Sequence, residues 1–140
     1  MSTVALVKTT NRKEGVRQSL NTLGINPVRG MSVLVKPNFN TADVTPGSTH
    51  NDTLEALVEE LWAMGARSVS LGERCFPPAR EVMEAKGVLP LLKRLDVRVI
   101  DTLIEGRDAA EAVARDYATE HHHPPRPAAG HRRQDDRAAA

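Results

Sequence analysis

Residues 31–64, MSVLVKPNFNTADVTPGSTHNDTLEALVEELWAM, decide the fold. Met31–Lys36 is a short β-branched and aliphatic run, and Pro37 ends it because proline lacks the N–H that a strand ladder needs. A polar loop of 15 residues follows, 37–51, with Pro46 and Gly47 as turn formers. Residues 53–64 then place Leu54, Leu57, Val58, Leu61 and Trp62 at helical spacing, a stripe wide enough to cover a sheet, and Gly65 stops them. A strand, a loop and an amphipathic helix in that order form the first half of a βαβ unit.

The same alternation extends both ways. Upstream, Thr3–Lys8 reads as a strand, and residues 12–23 carry Val16, Leu20 and Leu23 on one helical face, with Gly24 as the stop. Downstream, Ser68–Leu71 reads as a short strand and Gly72–Pro77 as its loop. Pro78 suits the first turn of a helix reaching Lys86, and Leu89–Leu95 is a second short helical piece. Val97–Ile100 is a fourth strand with Arg98 facing out, and Asp108–Ala118 a last helix. The expected class is α/β, a mostly parallel sheet of about four strands with flanking helices in the order β-α-β-α-β-α-β-α. Residues 1–118 make up this domain. Residues 119–140 hold no Val, Ile, Leu, Met, Phe, Trp, Tyr or Cys, but four of the 5 histidines and three of the 9 prolines. With nothing to bury, they are expected to form a disordered tail.

Composition narrows the function classes. Lys and Arg total 19 against 18 Asp and Glu, so no long-range attraction to nucleic acid or anionic membrane is expected. The aromatic residues Phe39, Trp62, Phe76 and Tyr117 are too scattered for a base-stacking platform. Cys75 is the single cysteine, which excludes an intrachain disulfide and a cluster held by this chain's thiolates alone. Val4–Val7 is a short apolar run with no basic segment before it, so the N-terminus reads as neither signal nor anchor, and the expected compartment is the cytoplasm.

In open parallel sheets, ligands sit outside the carboxyl ends of the strands. The loops expected there are polar: Lys36, Asn38 and Asn40, then Ser48, Thr49, His50 and Asp52, and after the next strand Glu73 and Arg74. Lys36 must emerge at the sheet edge, the amides and hydroxyls add hydrogen bonds, and the helix start adds free N–H groups. Arg74 suits a carboxylate or phosphate by bidentate pairing. The expected ligand is therefore a small anion. Asn38 and Asn40 also suit turns, and Asp52 with Glu55 three residues on reads as a capping box that needs no ligand. His50, Asp43 and Glu73 are a further candidate set for a metal, without the His-x-x-x-His pairing that would anchor it. Cys75, before a helix start, lacks an identifiable catalytic partner. No dinucleotide, P-loop or hydrolase glycine signature is present, and the sequence points to no particular cofactor.

At these residues the chain resembles the domain-of-unknown-function 362 family. The likeness rests on Val4–Lys8, Gly15–Arg17, Val33–Asn40, Pro46–Thr53, Met64–Ala66 and Val69–Gly72, and spans roughly residues 3 to 104. It implies an α/β fold with its site at the Lys36–Asn40 and Ser48–Asp52 loops, and it implies no reaction. Some members carry ferredoxin-type cysteine motifs, which this chain lacks, so a redox or metal-dependent enzyme fragment ranks behind the other readings. Members are usually much longer, and an Ala/Arg/Pro/His-rich end resembles an out-of-frame reading of a GC-rich gene. The chain is accordingly expected to be truncated or frameshifted, with apolar surface exposed to an oligomeric partner or to a missing C-terminal half. Three functional readings follow: part of an enzyme acting on a small anion, a non-catalytic binding module, or a non-functional remnant.

Overall fold

A computed structural model of the chain describes residues 3–75 and 77–101. The helix expected over 108–118 and the tail 119–140 lie outside those residues. Three parallel strands, β1 (Ser32–Val35), β2 (Ser68–Glu73) and β3 (Arg98–Asp101), form a sheet in the order β1-β2-β3. Ser32 to Val35 pair with Ser68 to Leu71, and Ser70 to Glu73 pair with Arg98 to Asp101. The helices are α1 (Arg12–Leu23), α2 (Asn51–Ala63), α3 (Ala79–Ala85) and α4 (Leu89–Arg94).

Both connections within the sheet advance in the same direction, so right-handed crossovers put α2, α3 and α4 on one face. The core lies there. Val33, Val35, Val69, Leu71 and Val99 meet Leu54, Val58 and Leu61 of α2, Val82 and Met83 of α3, and Leu92 of α4. Burying one such aliphatic side chain is worth roughly 1.5–3 kcal/mol. Trp62 adds a polar tie, its Nε1–H donating to the Leu95 carbonyl at 2.8 Å. The opposite face of central β2 carries the small residues Ser68, Ser70 and Gly72, with Leu34 crossing over Gly72.

Three sequence readings need correction. Thr3–Lys8 pairs with no strand among the described residues: Val4 and Leu6 are 85% and 96% exposed, while Ala5 and Val7 are half-buried. β-propensity favours an extended backbone, whereas a strand also needs a ladder neighbour, which sequence pattern alone does not supply. Just beyond, Thr9 and Asn11 exchange hydrogen bonds and turn the chain into α1. Its buried Gly15 lets the Thr9 methyl approach to where a Cβ would stand, 2.5 Å away. Second, β2 runs two residues further than Leu71, because Gly72 and Glu73 find partners in Ile100 and Asp101. Third, Pro78 is the residue before α3 rather than within its first turn. The end of α1 matches expectation: Gly24, at φ 63°, donates its N–H to the Asn21 carbonyl in a left-handed conformation that glycine adopts freely.

α1 packs along α2. Glu55 of α2 joins three elements, pairing with Lys13 of α1 at 2.5 Å and with Arg94 of α4. Arg17 bonds Glu60 at 2.8 Å, further along the same helix pair. None of the helices among the described residues is long and apolar enough to cross a membrane.

Candidate functional site

Beyond β1 the alternation of burial continues through five more residues. Val35, Pro37 and Phe39 are buried, whereas Lys36, Asn38 and Asn40 are exposed. This alternation puts Lys36, Asn38 and Asn40 in one solvent-facing row beyond the carboxyl end of β1. Phe39, fully buried, anchors the row from beneath.

Glu73 holds this segment to the neighbouring strand. Its side chain is 0% exposed; one carboxylate oxygen accepts the Phe39 N–H at 3.0 Å, and the other accepts the Arg74 N–H at 2.8 Å. The second oxygen also meets Lys36 Nζ at 2.8 Å, although the Lys36 side chain stays 66% exposed. Glu73 is thus the brace of the site and not a free ligand at its rim. Lys36 is fixed at its tip by Glu73 and also donates to the Pro37 carbonyl at 3.4 Å, which leaves one of its three N–H groups toward solvent. Arg74, next along the chain, is exposed.

The long loop is knitted to itself. Asn38 N–H donates to Thr49 Oγ1 at 2.8 Å, and Thr49 N–H donates back to the Asn38 carbonyl at 3.0 Å. Asn38 Nδ2 reaches the Gly47 carbonyl at 3.3 Å, across a bend that contains the cis Thr45–Pro46 peptide. Ser48 is buried, and its hydroxyl donates to the Asp43 carbonyl and accepts from Lys86 Nζ. Lys86, at the end of α3, also reaches the Asp43 carbonyl at 3.3 Å and lies 5.0 Å from the centre of the Phe39 ring, a cation–π distance. Asn51 Nδ2 donates to the Lys86 carbonyl at 3.1 Å, closing the link between loop and helix. Sequence reading passed over Lys86 and the anchoring role of Phe39. No spacing signal connects Lys86 to Ser48 across 38 positions; only the fold does.

The cap of α2 also differs from expectation. The helix starts at Asn51, and His50 is its N-cap, Nδ1 accepting the Asp52 N–H at 3.1 Å. An imidazole nitrogen that accepts this bond is unprotonated, which places the ring hydrogen of a neutral His50 on Nε2. The Thr53 and Leu54 N–H groups both bond the His50 carbonyl. Most of the helix-start donors expected to serve a ligand are therefore already used. Asp52 is half-exposed beside His50, its Oδ2 3.6 Å from the His50 Nδ1, and Glu55 turns away to Lys13 and Arg94 instead of closing a capping box. His50, Asp43 and Glu73 do not converge, and among the described residues no three His, Cys, Asp or Glu side chains are grouped to hold a metal ion. Cys75 is buried.

Of the nine candidate residues, the structure leaves Lys36, Asn38, Asn40 and Arg74 facing outward near the carboxyl ends of β1 and β2. Ser48, Thr49 and Glu73 spend their side-chain polar atoms on holding the loop, His50 gives Nδ1 to the helix start, and Asp52 stands half-exposed beside it. The family model for the domain of unknown function DUF362 matches residues 33–122, which takes in β1, the loop and every element after it. The chain belongs to the DUF362 family. Neither a curated protein nor a solved structure matches it. The DUF362 match begins at Val33, within the strand that leads into the Lys36–Asn40 row.

Proposed function

We infer that this DUF362 domain binds a small anion, a phosphate or carboxylate, on the row formed by Lys36, Asn38 and Asn40 with Arg74 beside it. One observation carries the reading: a lysine stands exposed at the carboxyl edge of a parallel sheet, with its ammonium held by a fully buried carboxylate. A cation fixed in this way loses little side-chain entropy on binding, so more of the charge-assisted hydrogen bond appears as affinity. The two asparagines add donors and acceptors that orient the ligand, and Arg74 can supply a planar pair of N–H groups. The bonds around Thr49, Ser48 and Lys86 keep the loop in shape before any ligand arrives. The reading assigns binding; Lys36 already shares its charge with Glu73, and no side chain is committed to a chemical step.

Isothermal titration with inorganic phosphate, pyrophosphate and citrate tests it. Saturable binding of at least one anion is expected. Lys36→Ala should raise Kd roughly tenfold, the equivalent of about 1.4 kcal/mol from one charge-assisted bond. His50→Ala should leave Kd near the parent value. Absence of binding by all three anions, or an unchanged Kd in Lys36→Ala, would sink the reading.

A further inference from the structure

The far edge of the sheet presents a second surface, unrelated to the Lys36 row. β3 is an edge strand among the described residues, so every second residue along it turns its N–H and C=O away from β2. Beside that edge lies an open cleft of about 670 Å³, bounded by α4, the start of α3 and residues 96–99. Its apolar lining includes Leu89, Leu92 and Val99. The described residues that line it include three cations, Arg80, Lys93 and Arg98, and one carboxylate, Asp96. The alternation along β3 separates these cations. Val97 and Val99 pack into the core and Arg98 is exposed between them, on the other face of the sheet from the α3–α4 layer that carries Arg80 and Lys93.

We propose that this edge is a docking site for an extended acidic peptide, which adds as a strand beside β3 and fills the cleft with its apolar residues. A strand added there turns alternate side chains to opposite faces of the sheet, and each face meets a cation: Arg98 on one, Lys93 and Arg80 on the other. Backbone bonds to the β3 edge supply affinity without regard to sequence, and the flanking charges select acidic over basic segments. An apolar floor beside a strand that is at the sheet edge among the described residues suits a peptide, whereas a compact inorganic anion would leave both the floor and the backbone edge unused. Asp96, at φ 57°, takes a left-handed conformation in the turn between α4 and β3.

The test uses fluorescence anisotropy of the full chain with a labelled peptide of alternating Glu and Val. Saturable binding is expected, weakening as salt rises. The same peptide N-methylated at every residue should not bind, since neither of its edges can then donate to the strand edge. A Lys and Val peptide should not bind either. The double variant Lys93→Glu, Arg98→Glu should weaken binding at least tenfold while circular dichroism stays unchanged, because both side chains are exposed. Lys36→Ala should leave peptide affinity unaltered, which separates this site from the anion row. Lack of saturable binding by the Glu and Val peptide overturns the proposal. Equal binding of the N-methylated or basic peptide, or indifference to the charge reversal, also overturns it.

Discussion

Glu73 is the residue on which most of the candidate site depends. It replaces water around a buried carboxylate with two backbone N–H groups and one ammonium. Removing it leaves the Phe39 and Arg74 amides without those acceptors and Lys36 without its anchor. Glu73→Ala should therefore destabilise the fold by about 3 kcal/mol, the usual cost of breaking a buried, hydrogen-bonded charge. Lys36→Ala should cost less than about 1 kcal/mol, since that partner is mostly solvated. Urea denaturation of the two variants measures the difference; equal losses would mean that Glu73 is not the brace described. In the sequence, Glu73 and Arg74 follow a glycine and read as two rim residues of one kind. Their roles part because β2 runs further than expected and draws one of them inside. The partner that shows this, the Phe39 amide, is 34 positions away and has no side-chain signature.

At the scale of elements, α2 is the hub, and its contacts with α1 and α4 converge on Glu55. The Lys13 hydrogen bond, with that of Arg94, holds the Glu55 carboxyl below its ordinary value of 4.5, and Lys13 is raised above its ordinary 10.5 in return. A depressed carboxyl contributes stability that is present above the ordinary value and is lost as pH falls through the folded one. Glu55→Gln should therefore lower stability by up to about 1 kcal/mol at neutral pH, within the range of partly exposed ion pairs. The gap from the parent should close as pH falls below 4.5. Denaturant midpoints measured across acid pH check this, and a pH-independent gap would contradict it. The apolar stripe of α2 was legible from spacing alone, and the structure buries Leu54, Val58 and Leu61 of that stripe. Its cap was misplaced by two residues, because sequence reading favours Asp over His at an N-cap while geometry put the His50 ring against the helix start.

For the whole molecule, the core described here lies between one sheet face and α2, α3 and α4. Stability should be distributed accordingly. Leu71→Ala, at a fully buried position on central β2, should cost about 2–5 kcal/mol. The pair Val4→Ser and Leu6→Ser, in the unpaired N-terminal segment, should shift stability by no more than about 0.5 kcal/mol. Thermal melts of both variants decide between this picture and one in which Thr3–Lys8 is a working strand: a large loss from the Val4 and Leu6 pair would favour the strand.

Sequence determined the α/β class, the order of the described helices and strands after residue 11, and the polar ends of β1 and β2. These follow from local periodicity, which a backbone of fixed geometry turns directly into helix or strand. Tertiary structure alone decided which extended segments pair, which acidic residue goes inside, and which polar side chains stay exposed at the carboxyl ends of the strands. Those outcomes depend on groups far apart in the chain meeting at hydrogen-bond distance: Phe39 with Glu73, Ser48 with Lys86, Lys13 with Glu55. No local pattern encodes such meetings, because their energy exists only once the layers have packed.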